Sequence, residues 1–106
     1  MIPFFSIITV TKNTEEKIDK TIQSVLSQSY KNFEYIIVDG HSKDGTLDKI
    51  KKYKNSKIKI FSRRDKNFYE GLNFAIKKAK GRYISILNSG DLYFSHSILK
   101  KMNAYI

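Results

Sequence analysis

Apolar positions along this chain switch repeatedly between a strand period and a helix period, which divides it into four strand–helix pairs. Phe5 to Thr11 is a nearly continuous apolar run and reads as a buried first strand. Asn13, with Glu16 three residues on, matches a capping box for the next helix. In that helix Ile18, Ile22, Val25 and Leu26 keep a 3.6-residue period. Glu34 to Asp39 is the second strand. A short helix is expected from Thr46, with Leu47 and Ile50 turned inward. Lys57 to Phe61 alternates and suits a half-exposed edge strand. Leu72, Ala75, Ile76 and Ala79 mark a third helix, and Gly81 stands where a C-cap glycine belongs. Tyr83 to Leu87 is a fourth strand. Ser95 or Ser97 can cap a last helix carrying Ile98, Leu99 and Met102.

Strand and helix alternating four times predict an α/β fold, a parallel sheet with helices on both faces. Right-handed crossovers put the carboxyl ends of all strands on one edge. A strand order of 3-2-1-4 sets the first strand between two that end in acidic loops. One loop is Asp39-Gly40-His41-Ser42-Lys43-Asp44-Gly45-Thr46, and the other is Asn88-Ser89-Gly90-Asp91. Ligands of open α/β sheets bind at that edge, so the crevice is expected over Thr11, Asp39 and Asp91.

Length narrows the picture to a single domain over residues 1–106. Without cysteine there is neither a disulfide framework nor a thiolate metal site, which fits a reducing compartment. No run approaches the roughly 18 apolar residues of a spanning helix. Met1 to Ile8 lacks a basic n-region and reads as the first strand, so a cytoplasmic location is expected. The net charge of +10 raises three classes of partner: nucleic acid, an anionic membrane surface or a phosphorylated ligand. It also suits solvated lysines spread over helices. The absence of G-x-G-x-x-G and of G-K-[ST] argues against dinucleotide dehydrogenases and P-loop enzymes. A nucleotide can still be held if a divalent cation, bound by carboxylates, carries the phosphate charge.

Five segments carry a resemblance. They are Ser6 to Asn13, the turn Ser27 to Glu34, Val38 to Thr46 (V-D-x-x-S-x-D-G-T), Asp65 to Asn73, and Lys80 to Asp91 (G-x-Y-I-x-x-L-N-S-G-D). In this order and register the chain resembles family-2 glycosyltransferases over almost its whole length. The resemblance implies a Rossmann-like nucleotide-diphospho-sugar transferase fold of GT-A type. It implies a nucleotide-diphosphate sugar donor, UDP-linked by preference, and a glycan or lipid-linked acceptor. Carried over residue by residue, Asp39 contacts the uracil or ribose, Thr11 lies beside the base largely through backbone, and Asp65 helps hold the nucleotide. Asp91 becomes the ligand for Mg2+ or Mn2+. Asn88 and Gly90 stand where the usual loop carries acids, and Asn88, which still offers a carbonyl oxygen, is carried over as a nucleotide-sugar-binding residue.

Plainer readings stand beside these. Asp44 suits a turn or cap, His41 a solvated loop, Asp65 a surface partner of Arg63 and Arg64, and Phe68 and Tyr69 the core or a helix entry. No residue matches the base that accepts the acceptor's proton. That base is expected beyond Ile106, which makes the chain the truncated, donor-binding half of an enzyme with little transfer activity alone. Its last helix is then expected to expose apolar surface and favour self-association. The alternatives are a non-catalytic nucleotide-sugar binder of the same fold and a basic nucleic-acid-binding domain. No nucleic acid is expected as a partner, whereas peripheral membrane contact stays open.

Overall fold

The computed structural model describes residues 2–106. Its elements run β1 (Phe5–Thr11), α1 (Ile18–Leu26), β2 (Phe33–Asp39), α2 (Thr46–Lys51), β3 (Ile58–Ser62), α3 (Phe68–Lys78), β4 (Tyr83–Ile86) and α4 (Ile98–Tyr105). The four strands form one sheet in the order β3-β2-β1-β4, and every pairing is parallel. Thr11 pairs in register with Asp39, and Asp39 with Ser62, so three strands end level on one edge.

Two cores flank the sheet, because successive side chains of a strand face opposite ways. Phe5, Ile7, Tyr35 and Ile37 pack with Ile18, Ile22 and Val25 of α1, Ile50 of α2 and Leu99 of α4. On the other face Ile8, Ile36 and Val38 pack against Ala75, with Leu72 and Phe74 of α3 beside them. The two central strands are therefore buried on both sides, as continuous apolar runs require. β3 is the half-exposed edge. β4 is the other edge, and Tyr83, Ile84 and Ile86 are exposed on it. In the last helix Leu99 is buried while Tyr105 and Ile106 are exposed.

Three local readings are corrected. The capping box at Asn13 does not form. Asn13 adopts a left-handed φ of 52°, its carboxamide accepts from the Lys43 amide at 2.8 Å, and α1 begins only at Ile18. A turn intervenes, in which the Lys17 and Ile18 amides both donate to the Thr14 carbonyl. Gly81 does not cap α3, whose C-cap is Ala79. Instead it lies against β1, where an added Cβ would come within 2.6 Å of the Ser6 nitrogen. Ser97 occupies the N-cap position of α4 without a side-chain capping bond, and Ser95 Oγ accepts from the Ser97 amide.

At the amino edge of the sheet, Glu34 is buried in β2 and accepts three bonds. They come from Ser6 Oγ (2.5 Å), the Lys80 amide (2.6 Å) and Lys59 Nζ (2.7 Å). One carboxylate thus ties β1, β2, β3 and the loop before β4. Burial by itself would raise the Glu34 pKa. The bonds from Lys59, Lys80 and Ser6 and the Lys59 charge outweigh it and hold the pKa below its ordinary value of 4.5.

Candidate functional site

The carboxyl edge is built by the loops that follow β1, β2, β3 and β4. After β2 the chain must turn at once, and Asp39 makes the turn with its own side chain. Its carboxylate accepts from the Ser42 amide (2.9 Å) and the Ser42 hydroxyl (2.5 Å), an Asx-type closure. His41 takes φ 61° inside this turn and is exposed. The Gly40 amide donates to the Thr11 carbonyl at 2.8 Å, which latches the turn to the end of β1. Asp44 closes the next step. It accepts from the Thr46 hydroxyl (2.5 Å) and amide (3.0 Å) at the start of α2, and the hydroxyl bond holds its pKa below the ordinary value. The turn-and-cap reading of Asp44 is the one the geometry supports.

Asp65 follows β3. Its side chain is only 7% exposed and sits in the fork of Arg63, with Nε at 3.0 Å and a terminal guanidinium nitrogen at 2.9 Å from Oδ1. The Arg63 guanidinium lies 4.0 Å over the Phe74 ring, which fixes the fork in place. Asp65 is thus paired, yet it is not a surface partner, since it faces the interior of a cleft. Gly71 in α3 allows the close approach, as a Cβ there would meet Val10 at 3.1 Å and Asp65 at 3.3 Å. Asn67 caps α3 by accepting from the Glu70 amide, and Glu70 returns by accepting from the Lys66 amide. Phe68 and Tyr69 open this helix and are exposed, so the helix-entry reading holds and the core reading does not.

Three of the expected residues border connected openings. A cleft of about 240 Å³ is lined by residues that include Val10, Thr11, Lys12, Gly40, Asp65 and Phe68. A second opening shares Thr11, Lys12 and Phe68 with it and reaches Asn88 and Ser89. Thr11, Asp65 and Asn88 therefore converge. Asp39, which precedes Gly40 in the chain, is fully buried and borders neither of these openings, and both its oxygens are engaged by Ser42. Asp91 is exposed on a neighbouring opening with Glu16, Lys17 and Lys20, joined to the second one through Ser89.

No group of three or more His, Cys, Asp or Glu side chains converges among the described residues. The loop offers one carboxylate, Asp91, and one carboxamide, Asn88, whose backbone carbonyl accepts from the Asp91 amide at 2.9 Å. Carboxylate and carboxamide oxygens are the donor types that Mg2+ and Mn2+ take, and here they border neighbouring openings, Asn88 on one and Asp91 on the other.

Pattern reading alone missed Thr21. Its hydroxyl, buried on α1, accepts from the Gly90 amide at 2.9 Å and donates to the Asp91 carbonyl at 2.9 Å. The signal was a hydroxyl residue on the stripe Ile18, Thr21, Ile22, Val25, where every other member is apolar.

The family described as Glycosyl transferase family 2 matches residues 6–106. The chain belongs to that family. Among its relatives, UDP-Glc:alpha-D-GlcNAc-diphosphoundecaprenol beta-1,3-glucosyltransferase WfaP of Escherichia coli is 40% identical over 102 residues, covering 92% of this chain and 39% of WfaP. The crystal structure of S. aureus TarS 1-349 in complex with UDP-GlcNAc matches with a TM-score of 0.89 at 30% identity, over 97% of this chain and 31% of that one. The mannosyltransferase PcManGT from Pyrobaculum calidifontis, in complex with GDP-Man and Mn2+, matches with a TM-score of 0.82 at 20% identity, a likeness of fold. It covers 91% of this chain and 30% of PcManGT. The GT-A type of fold expected from the motifs is the one observed, and the chain spans about two fifths of the length of WfaP.

Proposed function

We propose that this chain recognises the nucleotide-diphosphate sugar donor, UDP-linked, of a transferase whose acceptor is a glycan or a lipid-linked sugar. The observation that carries the reading is the convergence of Thr11, Asp65 and Asn88 on connected clefts at the carboxyl edge of the sheet. Membership of the family supports the reaction class. The UDP-GlcNAc bound to TarS supports the donor class, and the name of WfaP supports a UDP-sugar donor and a lipid-linked acceptor.

In this reading Asp65, held by Arg63, accepts from base or ribose donors at the cleft wall. Asp39 orders the turn that brings Gly40 to the cleft wall. Phe68 supplies apolar surface. Asp91 and Asn88 would hold Mg2+ or Mn2+, whose charge would offset that of the diphosphate. The surplus of lysines lets the protein approach anionic membrane surfaces from the cytoplasmic side, where a lipid-linked acceptor is met. No helix among the described residues is long and apolar enough to cross a membrane.

Calorimetry with UDP in the presence of Mn2+ tests the reading. Asp65→Asn removes a charged acceptor at the cleft wall, and Asp39→Asn weakens the charge-assisted bonds to Ser42 that order the Gly40 turn; each is expected to weaken binding about ten- to hundredfold, from about 1.5–3 kcal/mol per charge-assisted bond. Wild-type affinity in both variants, or no UDP binding by the unaltered chain, refutes it.

A further inference from the structure

The Asn88-Ser89-Gly90-Asp91 loop is fastened by hydroxyl groups belonging to other elements. Thr9 Oγ donates to the Leu87 carbonyl at 2.7 Å just as the loop leaves β4, and Tyr35 donates to that hydroxyl in turn. Ser89 Oγ donates to Thr14 Oγ at 2.8 Å, and the Thr14 hydroxyl bonds that of Thr11 at the end of β1. Apart from the loop's own turn, in which the Asp91 amide donates to the Asn88 carbonyl, the Gly90–Asp91 backbone is held by Thr21. Its single oxygen accepts from Gly90 and its single proton goes to the Asp91 carbonyl. The backbone between those two atoms carries the one glycine of left-handed φ among the described residues, Gly90 at 97°.

A buried hydroxyl needs only one partner to offset its desolvation. Local bonding inside a helix would supply it, as Ser24 Oγ does by donating to the Thr21 carbonyl. Thr21 instead directs both of its bonds outward, to the atoms that bracket Gly90 and Asp91. Two bonds across so short a segment fix its orientation as well as its position. The Asp91 side chain leaves the backbone there, so its direction follows from the α1 hydroxyl.

We propose that Thr21 is the positioning residue for Asp91 and sets the metal-dependent part of nucleotide-diphosphate affinity. This rests on the reading of Asp91 as the cation ligand. Thr21 touches neither donor nor metal. Its removal leaves Asp39, Asp65 and the main cleft in place and allows the carboxylate to reorient, which weakens the cation that Asp91 and the diphosphate share. Supporting groups of this kind are commonly worth about ten- to hundredfold in metal affinity.

The test is UDP calorimetry on the whole chain, with EDTA and with saturating Mn2+, for wild type, Thr21→Val and Thr21→Ser. Valine keeps the shape and removes the hydroxyl, whereas serine keeps the hydroxyl. Thr21→Val is expected to bind UDP in EDTA within about twofold of wild type while losing about tenfold or more of the Mn2+-dependent gain. Thr21→Ser is expected to restore the gain. If Thr21→Val does not fold, Thr21→Cys, a weak donor of similar size, takes its place. A full gain in the hydroxyl-free variant, equal losses with and without metal, or a serine variant as weak as valine overturns the inference. Wild type that binds UDP with no Mn2+ gain overturns it while leaving the donor reading intact. Wild type that does not bind UDP removes both.

Discussion

Glu34→Gln isolates what the buried carboxylate contributes to the fold. Glutamine keeps the shape, and its single carbonyl oxygen can still accept from Ser6 and the Lys80 amide. Its amide group then faces Lys59, where the carboxylate accepted at 2.7 Å. Two charge-assisted bonds become neutral ones, each at a loss of about 1 kcal/mol. The Lys59 side chain is 42% exposed and turns to water, so the broken ion pair adds at most about 1 kcal/mol. The sum is a destabilisation of about 2–3 kcal/mol at neutral pH. With an m-value of about 1–3 kcal/mol per molar in urea, the midpoint should fall by about 0.7–3 M.

The pH dependence provides the sharper check. The Glu34 pKa is lowered in the folded state, so its stabilisation is complete above the ordinary value of 4.5 and is lost as pH falls through the lower folded value. Urea unfolding of wild type and Glu34→Gln at pH 7, 5 and 3 should therefore show a gap that is constant at the first two and closed or closing at the third. Taking the difference removes the general acid response of a chain of net charge +10. A gap below about 0.5 kcal/mol at pH 7, or one that persists unchanged in acid, refutes the reasoning. UDP affinity should be untouched, because Glu34 lies at the opposite edge of the sheet from Asp65.

Other substitutions probe other joints. Gly81→Ala places a Cβ 2.6 Å from the Ser6 nitrogen and 2.7 Å from the Phe5 carbonyl carbon, and should cost about 1–3 kcal/mol in chemical denaturation. Gly90→Ala forces a side chain onto a φ of 97°, about 1–2 kcal/mol of strain, and brings it 3.2 Å from Lys17 Cδ; calorimetry should show a weakened Mn2+-dependent gain in UDP affinity. Vesicle sedimentation should show binding to anionic but not neutral lipid, lost at high salt, since each lysine near such a surface contributes on the order of 1 kcal/mol. Indifference to lipid charge would assign the lysines to solvation alone.

Much of the fold was legible because its signals are local. β1 and β2 are continuous apolar runs, and each ends at a residue that the register places level with its neighbour, Thr11 with Asp39. What escaped depends on contacts far apart in the chain. Asn13 has the identity of a helix cap, yet its carboxamide is spent on Lys43 across the carboxyl edge. Gly81 has the spacing of a C-cap, yet its need for glycine comes from Ser6 in another strand. Glu34 looked like an ordinary strand entry, and its three donors lie in three separate segments. At the site, Asp65 could be named from its motif but its Arg63 clamp could be read only as a surface pairing. Thr21 was hidden inside an amphipathic stripe that it otherwise completes.

Because every strand of the sheet points the same way, starts and ends are segregated in space. The starts hold the Glu34 junction, and the ends hold the clefts. A lineage can alter Ser6, Lys59 or Lys80 and change how firmly the domain stands without altering the clefts. It can equally alter Lys12, Phe68 or Asn88 and reshape the clefts at little risk to folding. Stability and specificity are thus open to separate selection, and a designer could reinforce one edge before diversifying the other.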